Sequence, residues 1–165
     1  MTRFTWEHVR GAVHPQVCDI MRELAGDQPI VMPHRALMVF RDSMKDLAHL
    51  ARRHLGPDVS GLGSSYYSHA AGLSTHTDND YVQALPGTFL SVWVALADVT
   101  ERNGPLVIEG QARLCKKGDA LVFDGDLPHR SCAGEGPRPV ALFTYIKTGS
   151  PFRPGERQKR AEVPV

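Results

Sequence analysis

Gly118-Asp119-Ala120-Leu121-Val122-Phe123-Asp124-Gly125-Asp126-Leu127-Pro128-His129 runs from one turn through four apolar residues into a second, acidic turn that ends in a Pro-His pair. Four apolar residues bounded by Gly and Asp have the length of a buried strand and are too few for a buried helix. Outward from this segment the pattern recurs. Ser64 to Ala70, Phe89 to Asp98, Leu106 to Ile108 and Val140 to Lys147 are short β-rich runs separated by Gly, Pro, Asn and Asp. Several short strands with intervening turns point to a sandwich or jelly roll.

The organisation changes upstream of Gly56-Pro57. Val17, Ile20, Met21 and Leu24 fall at i, i+3, i+4 and i+7, and Leu47, Leu50, Ala51 and His54 repeat the spacing, so both segments are expected as amphipathic helices. Gly26 and Gly56-Pro57 stand where helix stops are expected. A strand over Ala36 to Phe40 is expected between them. The chain is 165 residues long with 42% apolar residues, enough for one domain with a real core. We place that domain at about 1–150, with a helical part at about 1–56, a β core at about 60–147, and a loose charged tail over 151–165.

Composition excludes several function classes. Nineteen Lys and Arg against 18 Asp and Glu give a net charge of +1, so no field favours nucleic acid or an anionic membrane. No apolar run approaches a bilayer span. Three cysteines, Cys18, Cys115 and Cys132, form no close pair, and the first residues lack a signal-type apolar stretch. A reducing, cytoplasmic setting is expected.

Chemistry concentrates in three residues. If Ser74 to Asp80 is extended, His76 and Asp78 point to the same side of a sheet, within reach of one ion. The pair alone means little: with eight His and 18 acidic residues in 165, about one such pair arises by chance. Downstream, Pro128 fixes the backbone before His129 at the end of the quoted strand. Two imidazoles and one carboxylate suit a non-haem Fe(II) centre with open coordination positions. Nine residues further on, Arg138 opens the strand from Val140. An Arg there can grip a carboxylate through two parallel hydrogen bonds, which suits a dicarboxylate co-substrate.

Leu55-Gly56-Pro57-Asp58, His76-Thr77-Asp78, Val92-Trp93-Val94-Ala95-Leu96 through Asn103-Gly104-Pro105-Leu106, and Gly118-Asp119 through Pro128-His129 to Arg138 stand in the order of one known family. Through them the chain resembles the phytanoyl-CoA dioxygenase family of Fe(II)- and 2-oxoglutarate-dependent oxygenases, over most of residues 36–147. The resemblance implies a mainly β fold with flanking helices, a double-stranded β-helix (cupin-like jelly roll), its metal between two sheets and the N-terminal helices bracing one sheet from outside. It implies His76, Asp78 and His129 as catalytic iron ligands, Arg138 on the distal carboxylate of 2-oxoglutarate, and O2 as the second co-substrate. Tyr67 and His69 lie where family members contact the ketoacid or the substrate. The implied reaction is oxidative decarboxylation to succinate and CO2 coupled to attack on an unactivated C–H bond of a small molecule, with hydroxylation the default outcome. Asp78 stands where related halogenases carry a small residue, which disfavours halogenation.

The chain departs from the family in its substrate-covering parts. Glu109-Gly110-Gln111-Ala112 replaces the usual Gly-Ser-His and a long insertion is missing. Either the substrate is presented on a larger carrier, or a second subunit closes the site as a homodimer, or the pocket is open. Two other readings remain: a cupin-like metalloenzyme that uses no ketoacid, and a silent jelly-roll binding domain. Trp93 is expected mainly in packing, and Asn79 and Asp80 in turn chemistry. His54 is expected as a partly buried packing residue, His8, His14, His34 and His49 at the surface, Arg130 in solvent, and Cys132 as an inert thiol.

Overall fold

The computed structural model describes residues 3–31, 40–155 and 160–165. Among them, strands β1 (Trp6–Val9), β2 (Ile30–Val31), β3 (Val59–Tyr67), β4 (Ala71–His76), β5 (Phe89–Ala95), β6 (Leu106–Ile108), β7 (Gln111–Arg113), β8 (Ala120–Asp124), β9 (His129–Ala133) and β10 (Val140–Lys147) build two antiparallel sheets. The larger has the order β1-β8-β5-β10-β3-β2 and the smaller β4-β9-β6-β7. From β3 onward the chain passes repeatedly between the two sheets, which is how a jelly roll closes. The helices are α1 (Pro15–Ala25), α2 (Arg41–Leu55) and the short α3 (Asn79–Val82).

β5 is buried along its whole length because both faces of the large sheet are covered. Leu90, Val92 and Val94, with Ala120 and Val122 of β8 and Ala141, Phe143 and Tyr145 of β10, form the outer face and pack with Met21, Met44, Leu47 and Leu50 of the helices. Tyr145 ties the layers together by donating its hydroxyl to the Met44 carbonyl at 2.6 Å. Trp93, Leu121, Phe123 and Val140 point inward and meet Leu106 and Ile108 of the small sheet. The helices therefore brace one sheet from outside, as expected.

Several expectations change. On α1 the buried stripe is Cys18, Met21 and Ala25, while Ile20 and Leu24 are 53% and 54% exposed. Small side chains flank Met21 on this face where the helix sits close to the sheet: the Cys18 thiol lies 4.0 Å from the Ala95 carbonyl. α2 buries Leu47, Leu50 and Ala51 as expected, and adds Met44, Ala48 and Leu55. His54 stacks on Phe4 at 3.6 Å and bonds Glu7 at 2.8 Å, the packing role anticipated for it. β10 and β6 have the expected bounds, whereas β3 starts at Val59 and β5 ends at Ala95. Ala36–Phe40 lies outside the described residues except for Phe40, as does His34.

The extended segment expected over Ser74–Asp80 stops at His76, and Asp78 stands immediately before α3 without capping it through its side chain. Thr77 and Asp80 cause the change. The Asp80 carboxylate accepts from Thr77 N–H at 2.9 Å, and the Thr77 hydroxyl accepts from Asp80 N–H at 3.1 Å, a reciprocal pair that starts a helical turn. The departure at Glu109-Gly110 is a two-residue hairpin between β6 and β7, with φ of 54° and 74°, the conformation a tight hairpin of this hand requires. The segment from Pro151, expected to be loose, is held at its described residues: Arg153 N–H donates to the Val82 carbonyl at 2.7 Å, and Gly61 and Val163 exchange two bonds of 2.8 Å.

Asn103-Gly104-Pro105 forms a corner that anchors the approach to Arg138. Asn103 accepts from Thr100 N–H and donates to the carbonyls of Asp98 at 2.9 Å and Pro137 at 3.4 Å. Gly104 has φ of 94°, and a Cβ there would run into the Ala70 side chain and the Cys132 carbonyl. Gly104→Ala combines left-handed strain with overpacking, so a loss of roughly 3 kcal/mol is expected. Urea denaturation measures it; an unchanged midpoint would contradict this account of the corner.

Candidate active site

β4 and β9 are neighbours in the small sheet, and His76 is paired with His129 across them. A register shift between Leu73 and His76 accompanies the end of β4, and the chain then turns so that Asp78 reaches back. The result is a compact donor set. Nε2 of His76 and of His129 lie 3.6 and 3.4 Å from Asp78 Oδ1, and the two rings are 4.5 Å apart. Among the described residues, this is the one group of three His, Cys, Asp or Glu side chains arranged to hold a metal ion.

The second atoms of these side chains are already engaged. His76 Nδ1 is 2.8 Å from the Ser74 carbonyl and His129 Nδ1 is 2.9 Å from the Leu127 carbonyl. A carbonyl can only accept, so both Nδ1 atoms carry a proton and both Nε2 atoms are directed at Asp78, as a lone pair in the neutral ring and as a donor when the ring is protonated. Asp78 Oδ2 accepts from the Ser91 hydroxyl on β5, leaving Oδ1 turned toward the imidazoles. Outer partners of this kind fix tautomer and orientation at metal sites. Two neutral imidazoles and a carboxylate, each with one oriented free donor atom, fit a divalent first-row ion of the facial-triad type.

The electrostatics agree. Burial alone would raise the Asp78 pKa, yet hydrogen bonds from His129, His76 and Ser91 hold it well below the ordinary carboxylate value. In turn the Asp78 hydrogen bond, helped by the Ser74 carbonyl, raises His76 above 6.5 despite its burial. A raised imidazole is protonated at higher pH, and a metal must displace that proton. Metal affinity should therefore fall as pH drops through the elevated His76 range. Calorimetry in buffers of different ionisation enthalpy should show protons released on binding near neutrality; no release would contradict this coupling.

The donor set opens into a cavity of about 480 Å³ between the sheets. Arg138, Tyr67 and His69 line the same cavity as His76, Asp78 and His129, so all six sequence-selected residues share one space. Arg138 is 6% exposed. Its backbone N–H is held by the Ser68 carbonyl at 2.8 Å, and its guanidinium lies 5.3 Å from the Trp93 ring centre. Nε and Nη1 are buried and make no hydrogen bond. Burial lowers its pKa to about 10, so it remains a cation at pH 7, without an anionic partner among the described residues.

Other selected residues are placed differently. Asn79 holds the turn after Asp78, bonding both the Ala84 backbone and the Asp126 carboxylate, and Asp80 is committed to Thr77. Trp93 packs in the core and also lines the cavity. Cys132 makes a contact with Arg130 at 3.4 Å. Sequence reasoning missed Ser91, although it is the polar interruption of an otherwise apolar buried strand, a position that demands a partner. Tyr81, Leu73 and Arg160 on the cavity wall carried no local signal.

The sequence model of the phytanoyl-CoA dioxygenase (PhyH) family matches residues 7–108, a span that includes His76 and Asp78 and ends before His129 and Arg138. No curated protein matches the sequence. Among solved structures, the non-heme alpha ketoglutarate dependent epimerase SnoN from nogalamycin biosynthesis is similar with a TM-score of 0.78 and 17% identity, over 99% of this chain and 91% of that one. HygX from Streptomyces hygroscopicus with iron bound gives 0.73 and 14%, over 88% and 83%. EctD from S. alaskensis with bound Fe gives 0.69 and 18%, over 92% and 75%. At such identities the likeness is one of fold, the double-stranded β-helix.

Proposed function

The chain belongs to the phytanoyl-CoA dioxygenase family, and from that premise we propose that it is an Fe(II)- and 2-oxoglutarate-dependent oxygenase that hydroxylates an unactivated C–H bond of a small organic molecule, releasing succinate and CO2. One observation carries the reading: a buried, unpaired guanidinium, Arg138, shares a cavity with the oriented free donors of His76, Asp78 and His129. A buried charge without a partner costs several kcal/mol. A ligand carboxylate is the natural counter-charge, and a planar fork binds it bidentately.

His76, Asp78 and His129 are assigned as the iron ligands, and the iron with 2-oxoglutarate and O2 supplies the oxidising chemistry when bound. Each protein group has a definite task. Ser91 holds Asp78 so that one oxygen faces the metal position, and the carbonyls of Ser74 and Leu127 fix the Nδ1 side of each imidazole so that Nε2 faces that position. Arg138 binds the distal carboxylate of the ketoacid, with Tyr67 and His69 beside it on the cavity wall. Trp93, Phe123 and Leu142 line the cavity too and keep it apolar. One domain carries the activity, with the small-molecule substrate entering the space left beyond the ketoacid.

The neighbours support the assignment of ligands by analogy of fold: HygX has been crystallised with nickel and 2-oxoglutarate, and SnoN with Fe3+ and alpha ketoglutarate. A cupin-like enzyme without a ketoacid leaves Arg138 unexplained, and a silent binding domain leaves the oriented donor set unexplained. Supplied with Fe(II), 2-oxoglutarate and air, the protein should form succinate even without its substrate, and none once iron is chelated. Iron-independent or absent succinate formation by folded, iron-loaded protein would overturn the proposal. With substrate, a product gaining one oxygen atom supports hydroxylation, and loss of two hydrogens would replace it with desaturation or cyclisation.

A further inference from the structure

A second cation faces the cavity and the proposed reaction does not use it. Arg160 comes from the docked C-terminal segment and lines the same space as the metal ligands. It is partly buried, and its Nη1 donates only long bonds, each 3.3 Å, to the carbonyls of Tyr81 and Arg153. No carboxylate among the described residues pairs with it. Its burial and the nearby charge of Arg153 both work against its cationic form, so an anion beside it is favoured.

The segment that carries Arg160 is anchored on both sides. Before it, Phe152 packs on the cluster of Leu62, Val82, Ala84, Phe89 and Ile146. After it, Val163 pairs with Gly61, and the Val165 carbonyl accepts from Arg52 at 2.8 Å. Arg160 N–H is itself held by the Pro154 carbonyl at 2.8 Å. Through Arg160 the C-terminal segment thus forms part of the cavity wall. Around the same cavity, Ile30, Leu73 and Tyr81 are 51%, 49% and 54% exposed, and half-exposed apolar side chains on a cavity wall signal a ligand with an apolar body.

We propose that Arg160 is a specificity-determining residue, and that the substrate is an organic anion, a carboxylate or phosphate monoester, whose apolar body lies on Ile30, Leu73 and Tyr81. The inference rests on the oxygenase reading. In that reading a ferrous ion and Arg138 are balanced by Asp78 and the dianionic ketoacid, so Arg160 is the charge left over for the substrate.

Protein loaded with Ni(II) and 2-oxoglutarate can be titrated by ligand-observed NMR with three probe sets: phenylalkyl carboxylates, the phosphate monoesters of phenylalkanols, and the primary amides of the same acids. At least one anionic set should bind about tenfold tighter than the amides, the effect of roughly one charge-assisted hydrogen bond; which set does so separates carboxylate from phosphate. The preference should vanish in Arg160→Gln and persist in Arg160→Lys, with ketoacid affinity as in the wild type. No anion preference in the wild type, or one that survives Arg160→Gln, overturns the proposal. So does a loss of ketoacid binding in Arg160→Gln as large as in Arg138→Gln, which would move Arg160 into the ketoacid site. Failure of the wild type to bind 2-oxoglutarate at all would instead overturn the oxygenase reading, and this inference with it.

Discussion

Asp78→Ala is expected to abolish iron-dependent succinate formation and to lower metal affinity by more than about 100-fold, beyond what loss of a mere supporting partner costs. Asp78 is the only anion in the donor set, and its two oxygens do different work: Oδ1 faces both imidazoles at 3.4 and 3.6 Å while Oδ2 is held by Ser91. Without it two neutral imidazoles remain, and Ser91 loses its acceptor. The fold should survive, because the strand pairing of His76 with His129 does not depend on the carboxylate. Iron content after desalting, succinate yield and circular dichroism together check this. Wild-type iron binding by a folded variant would remove Asp78 from the metal site.

Arg138→Gln should raise the 2-oxoglutarate requirement by roughly 100-fold or more, since losing one partner of a buried, hydrogen-bonded charge pair costs about 2–5 kcal/mol. Metal affinity should stay near wild type, because Arg138 is assigned to the far end of the ketoacid. A second effect has the opposite sign. In the ligand-free protein the guanidinium is buried with two unsatisfied nitrogens, so replacing it with a neutral side chain should raise the melting temperature while weakening the ketoacid complex. An unchanged ketoacid requirement would take Arg138 out of the site. A lower melting temperature of the ligand-free variant would show that its charge has a partner.

The jelly roll was legible because its central strands are covered on both faces and therefore read as mostly apolar runs, Val140–Lys147 and Phe89–Ala95, interrupted at Thr144 and Ser91. β1 and β9, with the sequences Trp-Glu-His-Val and His-Arg-Ser-Cys-Ala, carry no such run. They are strands because their neighbours in space, β8 and β4, offer them hydrogen bonds, and tertiary pairing is invisible to local pattern. The face of α1 was misjudged for a related reason. Periodicity ranks Ile20 and Leu24 by hydrophobicity, but the face that meets the sheet carries Cys18 and Ala25 on either side of Met21.

The metal trio was legible as residue types, and its geometry only in part. His76 and Asp78 do converge, through a helical turn started by Thr77 and Asp80 rather than along an extended strand; the Thr-x-x-Asp spacing held that signal. Ser91 announced itself as a polar residue in an apolar strand. Arg160 could not be found in this way. Its place on the cavity wall follows from the docking of Phe152 and Val163, contacts that a charged, Pro-containing tail does not advertise.

The central claim is that the oriented His-Asp-His donors and the unpaired arginine serve one iron–ketoacid complex. Adding 2-oxoglutarate to Fe(II)-loaded protein in the absence of oxygen tests it most directly. A weak visible charge-transfer band should appear with wild-type protein, saturate at one ketoacid per iron, and require far more ketoacid in Arg138→Gln. No band from folded protein with iron bound would contradict the account.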